Sequence, residues 1–166
     1  MKKLLILQLI ILSLLIGCSS GTENNPQGDK LYANYTKCLN ETGIIKVEET
    51  PKTTIKWEFN NGILKINHLN AGFNCCFDKI EISVEQNEKS INIIENDIGD
   101  KCDCNCPRDI DFMLKDIIEG TYTINIQEAL YTYDYPSISF EANLKDGNSG
   151  ELSFERPSYP WGLGNY

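Results

Sequence analysis

The feature that most constrains the fold is a period of two in the apolar residues. Residues 54–60 alternate apolar and polar side chains, as do residues 63–68, and Asn61 and Gly62 stand between the two segments. Successive side chains of a strand point to opposite faces, so this alternation is typical of strands with one face in a core and the other in water. An Asn-Gly pair favours the type I′ turn, which requires positive φ at both central residues. The two segments are therefore predicted to form a β-hairpin.

The same alternation continues along most of the remaining chain. Residues 80–84 and 90–94 predict a second hairpin with a longer loop, and residues 137–144 and 150–155 predict a third. A further strand is expected at residues 110–114, and helical periodicity is almost absent. Short strands at this spacing predict an all-β fold of about seven to nine strands, either an antiparallel β-sandwich or a small barrel.

Residues 120–126 carry the sequence Gly-Thr-Tyr-Thr-Ile-Asn-Ile. This stretch resembles a strand that is common in immunoglobulin-like and transthyretin-like β-sandwiches, where it follows a tight turn at the glycine. The resemblance implies an immunoglobulin-like sandwich in which the Tyr122 ring covers one end of the core. It implies a fold and no activity.

The N-terminus indicates the compartment in which the protein works. Lys2 and Lys3 give a positive start, and an apolar run of about a dozen residues follows. This is the anatomy of a secretory signal, and the run is shorter than a membrane-spanning helix requires. Residues 15–18, Leu-Ile-Gly-Cys, resemble the cleavage site of bacterial lipoproteins.

The lipoprotein resemblance implies that a diacylglycerol is attached to Cys18 and that the signal peptide, residues 1–17, is removed. Acyl chains hold a protein on a bilayer, so the membrane is an expected partner. Ser19 stands after the cysteine in place of the aspartate that retains such proteins in the inner membrane. The resemblance therefore implies a protein of the cell envelope that is sorted to the outer membrane, on its periplasmic or its surface face.

The mature chain is predicted to hold a single folded domain. Residues 18–30 are polar and rich in turn-forming residues, so they predict a flexible tether. Residues 31–156 are expected to form the β-sandwich, and residues 157–166 an aromatic C-terminal tail. The chain has 15 basic and 24 acidic residues, which excludes the basic footprint that nucleic acid requires.

The cysteines carry the most informative chemistry. Six cysteines remain after Cys18, and an even number in an exported chain favours disulfide bonds. Cys75 and Cys76 are adjacent and are expected to point in opposite directions, so they reach different partners. Each is expected to bond one cysteine of the cluster at residues 102–106, and Cys38 to bond the third, although spacing alone leaves the connectivity open. The six candidates after Cys18 are Cys38, Cys75, Cys76, Cys102, Cys104 and Cys106.

A metal site is the competing interpretation of the same cysteines. Together with His68 they offer enough soft ligands for zinc or an iron–sulfur cluster. However, a Cys-x-Cys-x-Cys run is unusual for structural zinc, and the thiolates would have to stay reduced outside the cytoplasm. No metal and no cofactor is therefore expected.

The cysteine block also carries a second resemblance. Residues 73–78 and 102–112 are similar to small cysteine-rich lipoproteins of Bacteroidetes, which have a Cys-x-Cys-x-Cys cluster just before a strand and a later Gly-x-Tyr strand. The resemblance implies a location and a fold, and it adds no mechanism.

Aromatic residues supply a candidate binding surface for a glycan or a protein partner. Three tyrosines share one face if their segment is extended, and the tail adds further aromatic side chains. Such rows also pack across sandwiches or cover edge strands, so structural packing is the alternative. The residues are Tyr131, Tyr133, Tyr135, Tyr159 and Trp161.

No set of residues predicts catalysis. His68 is expected on the surface at the end of a strand, and no nucleophile elbow accompanies Ser137, Ser139 or Ser149. We therefore expect a non-catalytic, lipid-anchored β-sandwich that binds a protein or a glycan. The alternatives are a small inhibitor or immunity-type lipoprotein, which blocks a hydrolase with a rigid loop near residues 102–111, and a metal-binding protein that uses the cysteine block.

Overall fold

The computed structural model describes residues 25–27, 30–39, 52–130 and 137–156, the first of these ranges in its backbone alone. These residues form ten strands and no helix. The strands are β1 (Asn25–Gln27), β2 (Leu31–Tyr35), β3 (Lys52–Asn60), β4 (Ile63–Asn74), β5 (Lys79–Gln86), β6 (Ser90–Ile98), β7 (Asn105–Leu114), β8 (Gly120–Gln127), β9 (Ile138–Leu144) and β10 (Ser149–Glu155). None of the described segments is a helix long and apolar enough to span a bilayer.

The strands form two sheets that pack face to face, which confirms the predicted all-β sandwich. The six-stranded sheet has the order β1-β2-β7-β4-β3-β10, and the four-stranded sheet the order β5-β6-β8-β9, so neither sheet closes into a barrel. The strand number exceeds the expected seven to nine partly because β1 lies within the segment predicted to be a tether and pairs with β2.

Among the described residues, all strand pairs are antiparallel except one. β6 and β8 run parallel, with Ile91 level with Ile124. Parallel neighbours need a crossover connection. Here the connection includes β7, which is a strand of the six-stranded sheet. The two sheets are therefore linked by the chain path as well as by their shared core.

The first two predicted hairpins are present. Asn61 and Gly62 have φ of 50° and 73°, the positive values that a type I′ turn requires, and β3 pairs with β4 across them. β5 pairs with β6 from Lys79 to Gln86. Both connections are short, so the pairing of each strand with the next one in sequence is fixed locally.

The third predicted hairpin is wrong. β9 pairs with β8 in the four-stranded sheet, whereas β10 pairs with β3 in the six-stranded sheet. The loop between them bonds to the first hairpin instead, since the Phe59 amide donates to the Asn148 carbonyl and the Gly147 amide to the Phe59 carbonyl. The loop thus carries the chain from one sheet to the other.

A bulge in β4 sets the direction of its side chains. The pairing with β7 shifts between His68 and Ala71, and Asn70 adopts a φ of 57°. The Asn70 amide donates to Asp109 Oδ1, and its side chain donates to the Lys52 carbonyl. The extra residue lets Leu64, Ile66 and His68 point into the core before the bulge, and Ala71 and Phe73 point into it afterwards.

Candidate functional site

A layer of buried polar side chains lies between the two sheets, within the apolar core. We call it the ionic layer. Both sheets contribute to it. β3, β4 and the residue that follows β10 contribute from the six-stranded sheet, and β6 and the residue that follows β8 contribute from the four-stranded sheet. Its members are at most 6% exposed: Thr53, His68, Glu95, Glu128 and Arg156.

The ionic layer follows from the period of two. Four of its members stand two positions beyond an apolar residue that points into the core, so they inherit the inward direction of their strand. The pairs are Ile66 and His68, Ile93 and Glu95, Ile126 and Glu128, and Phe154 and Arg156. The same alternation was available in the sequence, and it is the signal that would have placed these residues inside.

His68 is fully buried, so its predicted place on the surface is wrong. Its Nδ1 lies 2.8 Å from Glu95 Oε1, and its Nε2 lies 2.7 Å from Thr53 Oγ1 and 3.4 Å from Glu128 Oε1. The strand does not end at His68 but continues to Asn74, so the histidine is an interior residue of β4.

The hydrogen bonds and the raised pKa together indicate the protonation of the ring. Thr53 Oγ1 has one hydrogen and donates it to the Leu69 carbonyl at 3.0 Å, so His68 Nε2 must donate to Thr53. Nδ1 faces the Glu95 carboxyl group at hydrogen-bonding distance. The raised pKa of His68 favours a proton on Nδ1 as well, and a ring with both nitrogens donating is an imidazolium.

The pKa values of the pair agree with this assignment. Burial acts to lower the pKa of His68, but the Glu95 and Glu128 carboxylates outweigh it and raise the pKa from 6.5 to about 10. Burial raises the pKa of Glu95, and the positive charge of His68 opposes that rise. The raised pKa of His68 keeps its ring protonated through neutral pH.

Arg156 completes the charge balance of the ionic layer. Its guanidinium forms an ion pair with Glu128 Oε2, and both side chains are 6% exposed. Two carboxylates therefore face one imidazolium and one guanidinium. Glu95 Oε2 has no hydrogen-bond partner among the described residues, so the layer is balanced in charge without being saturated in hydrogen bonds.

Three members of the ionic layer are arranged like a catalytic triad of nucleophile, base and orienting acid. Thr53, His68 and Glu95 stand in that order at hydrogen-bonding distances. However, all three are 0% exposed, the threonine proton is given to a carbonyl, and the histidine is already protonated. The arrangement thus joins the two sheets and presents no atom to a substrate.

The second feature is a corner braced by three disulfide bonds, which confirms the predicted disulfide bracing. The bonds join Cys38 to Cys106, Cys75 to Cys104 and Cys76 to Cys102. The adjacent cysteines of the turn after β4 do reach different partners, as expected. All six sulfurs are paired, so none of them is a thiolate ligand for a metal in this state, and His68 is bonded to Thr53 and Glu95 instead.

Asn74 organises this corner. Its Oδ1 accepts from the amides of Cys76 and Cys102, and its Nδ2 donates to the Cys102 carbonyl at 2.7 Å. Its own amide donates to Asp97 Oδ2. One side chain, 6% exposed, therefore satisfies backbone groups on both sides of the Cys76–Cys102 bond.

The third feature is a shallow groove of about 270 Å³ on the outer face of the six-stranded sheet. Two rows of side chains line it across β2, β7 and β4. In one row Asn34 and Asn67 flank Asp111, and in the other Tyr32 and Lys65 flank Met113. Tyr32 is 40% exposed. The lining side chains are Tyr32, Asn34, Lys65, Asn67, Asp111 and Met113.

Neighbouring contacts hold the polar groups of the groove in place. Asn67 Nδ2 donates to Asp111 Oδ1, and Lys65 Nζ pairs with Glu58 Oε1. The groove thus presents an aromatic ring beside amide, carboxylate and ammonium groups on a rigid floor. This combination offers an apolar platform together with both donors and acceptors.

Several predicted site residues lie outside the described residues. They are the signal peptide 1–17, the lipidation site Cys18, the tail 157–166, and the aromatic candidates Tyr131, Tyr133, Tyr135, Tyr159 and Trp161. Tyr122, predicted to cover the core, is buried at 5% exposure. Sequence reasoning missed the groove, because its members come from three strands that are distant in sequence.

The fold and its corner define the chain as a disulfide-braced, two-sheet β-sandwich. Comparison with protein-family models, with curated proteins and with solved structures found no match.

Proposed function

We propose that this protein is an exported, lipid-anchored β-sandwich that binds a glycan through the groove on the outer face of its six-stranded sheet. The observation that carries the proposal is the exposed Tyr32 ring beside the level row Asn34, Asp111 and Asn67. A sugar ring has an apolar face of C–H groups and a rim of hydroxyls that donate and accept. An aromatic platform flanked by amides and a carboxylate matches both.

Export and anchoring are supported by the sequence and by the state of the cysteines. The positive start, the short apolar run and the Leu-Ile-Gly-Cys site are together typical of a lipoprotein signal. Three disulfide bonds are typical of an oxidising compartment. A non-catalytic role is favoured because the one histidine is buried, protonated and bonded on both sides.

The test is glycan binding by the detergent-solubilised protein, with calorimetry on every hit from a panel of polysaccharides and their oligosaccharides. Tyr32→Ala and Asp111→Ala should each weaken binding about tenfold or more, because each removes one of the two kinds of contact. Thr123→Ala, an exposed change on the outer face of the other sheet, is the matched control and should bind like the parent. Absence of any hit, or equal affinity of the groove variants and the parent, would contradict the proposal.

A second candidate function is inhibition of an envelope hydrolase by the loop between β6 and β7. Gly99, Asp100, Lys101, Asp103 and Cys104 are exposed, and disulfide bonds at Cys102 and Cys104 hold the loop. A rigid loop enters an active site at low entropic cost. If this function is the correct one, Lys101→Ala and Asp103→Ala will relieve inhibition in a panel of muralytic hydrolases, while the groove variants will not.

A further inference from the structure

Two of the three disulfide bonds lie side by side. The Sγ atoms of Cys38, Cys75 and Cys106 all lie within 4.8 Å of one another. Cys38 and Cys106 are bonded to each other, whereas Cys75 is bonded to Cys104. The sulfur of one bond is therefore within reach of the neighbouring bond, and no other group of three cysteine sulfurs among the described residues is as compact.

The two bonds differ in their access to solvent. Cys104 is exposed, and Cys75 is half-buried. Cys106 is 2% exposed, while its partner Cys38 is half-buried. Thiol–disulfide exchange needs access for the attacking thiolate, so an external reductant meets Cys104 before it meets Cys106.

We infer that Cys75 is the relay residue of an internal thiol–disulfide exchange. In the first step a thiolate of an external dithiol attacks Cys104 Sγ, the Cys75–Cys104 bond breaks, and Cys75 leaves as a thiolate. The second thiol of the reductant then closes on the mixed disulfide, which releases Cys104 as a thiol and leaves the dithiol oxidised. This stage is a two-electron reduction of one protein disulfide, and the dithiol supplies both electrons.

In the next step the Cys75 thiolate attacks Cys106 Sγ. The Cys38–Cys106 bond breaks, a Cys75–Cys106 bond forms, and Cys38 leaves as a thiolate that takes a proton from water. Cys38 is the better leaving group because it is half-buried, whereas a thiolate on Cys106 would be enclosed in the core. The number of disulfide bonds does not change in this step, so no further reductant is required.

The consequence is that the reactive thiol emerges at Cys38, away from the point of attack. Cys38 follows β2 and ties that end of the strand to β7. Exchange removes this covalent tie, and the backbone hydrogen bonds from Thr36 to Asp109 and from Leu39 to Pro107 remain to hold the strand end. Cys38 is thus the position where a thiol reagent or a second protein thiol is expected to react.

The variant Cys104→Ser tests the relay directly, since it leaves a free Cys75 beside the Cys38–Cys106 bond. The full exported protein is treated with iodoacetamide without reductant, digested and mapped by mass spectrometry. Alkylated Cys38 together with a Cys75–Cys106 peptide is the expected result. Cys102→Ser is the matched control, because it frees Cys76, which is outside the compact group, and the other two bonds should remain native.

A second measurement does not depend on the folding of the variant. The parent protein is treated with one equivalent of dithiothreitol, alkylated and mapped. In molecules whose Cys75–Cys104 bond is attacked, label on Cys38 and Cys104 with Cys75 bonded to Cys106 is the expected result. Attack on the Cys76–Cys102 bond, whose Cys76 is also exposed, is scored separately by label on Cys76 and Cys102. In the parent, label on Cys75 and Cys104 with an intact Cys38–Cys106 bond would overturn the proposal. In Cys104→Ser, label on a free Cys75 beside an intact Cys38–Cys106 bond would do the same. A Cys38–Cys75 bond in either protein would also contradict it.

Discussion

His68 Nδ1 donates to Glu95 Oε1 at 2.8 Å, and neither side chain has any surface in contact with solvent. The histidine belongs to the six-stranded sheet and the glutamate to the four-stranded sheet, so this bond crosses the sandwich. Desolvating two charges is costly unless they are paired, and the remaining members of the ionic layer supply the pairing. The bond is therefore a buried polar link between the two sheets, one of several beside their shared apolar core.

The first prediction concerns the protonation of His68. The chain has one histidine, so its imidazole proton resonance is unambiguous in a nuclear magnetic resonance titration. In the folded protein the resonance should hold its protonated position through neutral pH and move with a midpoint near the pKa of about 10. In denaturant the same resonance should titrate near the ordinary value of 6.5. A folded midpoint near the ordinary value would contradict the assignment.

The same shift has a consequence for stability. The pKa of His68 is higher in the folded state than in the unfolded state, so its contribution is fully present below pH 6.5 and is lost as the pH rises through about 10. The raised pKa of Glu95 acts in the same direction. Urea unfolding should show a steady loss of stability across this window, and His68→Gln with Glu95→Gln should flatten it. Glu58→Gln, at an exposed pair, should leave the profile unchanged.

The second prediction concerns the Glu128–Arg156 pair. Arg156→Met leaves a buried carboxylate without its guanidinium and should lower the free energy of unfolding by about 3–5 kcal/mol. Adding Glu128→Gln removes the unpaired charge, so the double variant should lose less than the sum of the single losses. Urea unfolding of the full cycle measures the difference.

The exposed pair Lys56–Glu151 provides the comparison for that cycle. Its charged atoms are 3.3 Å apart, and both side chains are well exposed. Its coupling should be below about 1 kcal/mol, because solvent screens the charges. Additive losses at Glu128 and Arg156 would show that burial does not couple them.

The third prediction concerns Asn74. Asn74→Ala leaves the amides of Cys76 and Cys102 without their acceptor, and the unfolding free energy should fall by about 1–3 kcal/mol. The variant should also form more mispaired disulfides during oxidative refolding, as measured by non-reducing peptide mapping. Asn96→Ala, at an exposed position of β6, is the control. Native yields and stability in Asn74→Ala would contradict the role given to this side chain.

The fourth prediction concerns Gly150 on the edge strand β10. A Cβ at this position would lie 2.6 Å from Trp57 Nε1, so the buried indole would have to move. Gly150→Ala should lower the unfolding free energy by about 1–3 kcal/mol and shift the tryptophan fluorescence. Adding Trp57→Phe shortens the ring and should recover part of the loss. A stable Gly150→Ala with unchanged fluorescence would show that the contact is not close.

The local features of the fold were predictable from the sequence. The alternation at residues 54–60 and 63–68 and the Asn61–Gly62 turn define their hairpin without reference to the rest of the chain. The pairing of β9 with β8, and not with β10, depends on which sheet each strand joins. Alternation gives the direction of the side chains but not the identity of the neighbouring strand, so the third hairpin was predicted wrongly.

The candidate sites were predictable to different degrees. The disulfide bracing was predicted from the six cysteines that follow Cys18 and from an adjacent pair expected to diverge. His68 was predicted on the surface because its polarity was given more weight than its position. It stands at an even spacing from Leu64 and Ile66, which places all three on the same face of β4. Its partner Glu95 is 27 residues away, and no local pattern joins them. The groove unites β2, β4 and β7, so it exists only once the strand order is known.

The most direct test of the whole account is the intact mass of the protein purified from cell membranes without reductant. The expected chain begins at Cys18, carries the added mass of a diacylglyceryl group, and lacks six hydrogens because three disulfide bonds have formed. A mass equal to the unprocessed chain of 166 residues with its seven cysteines reduced would contradict it.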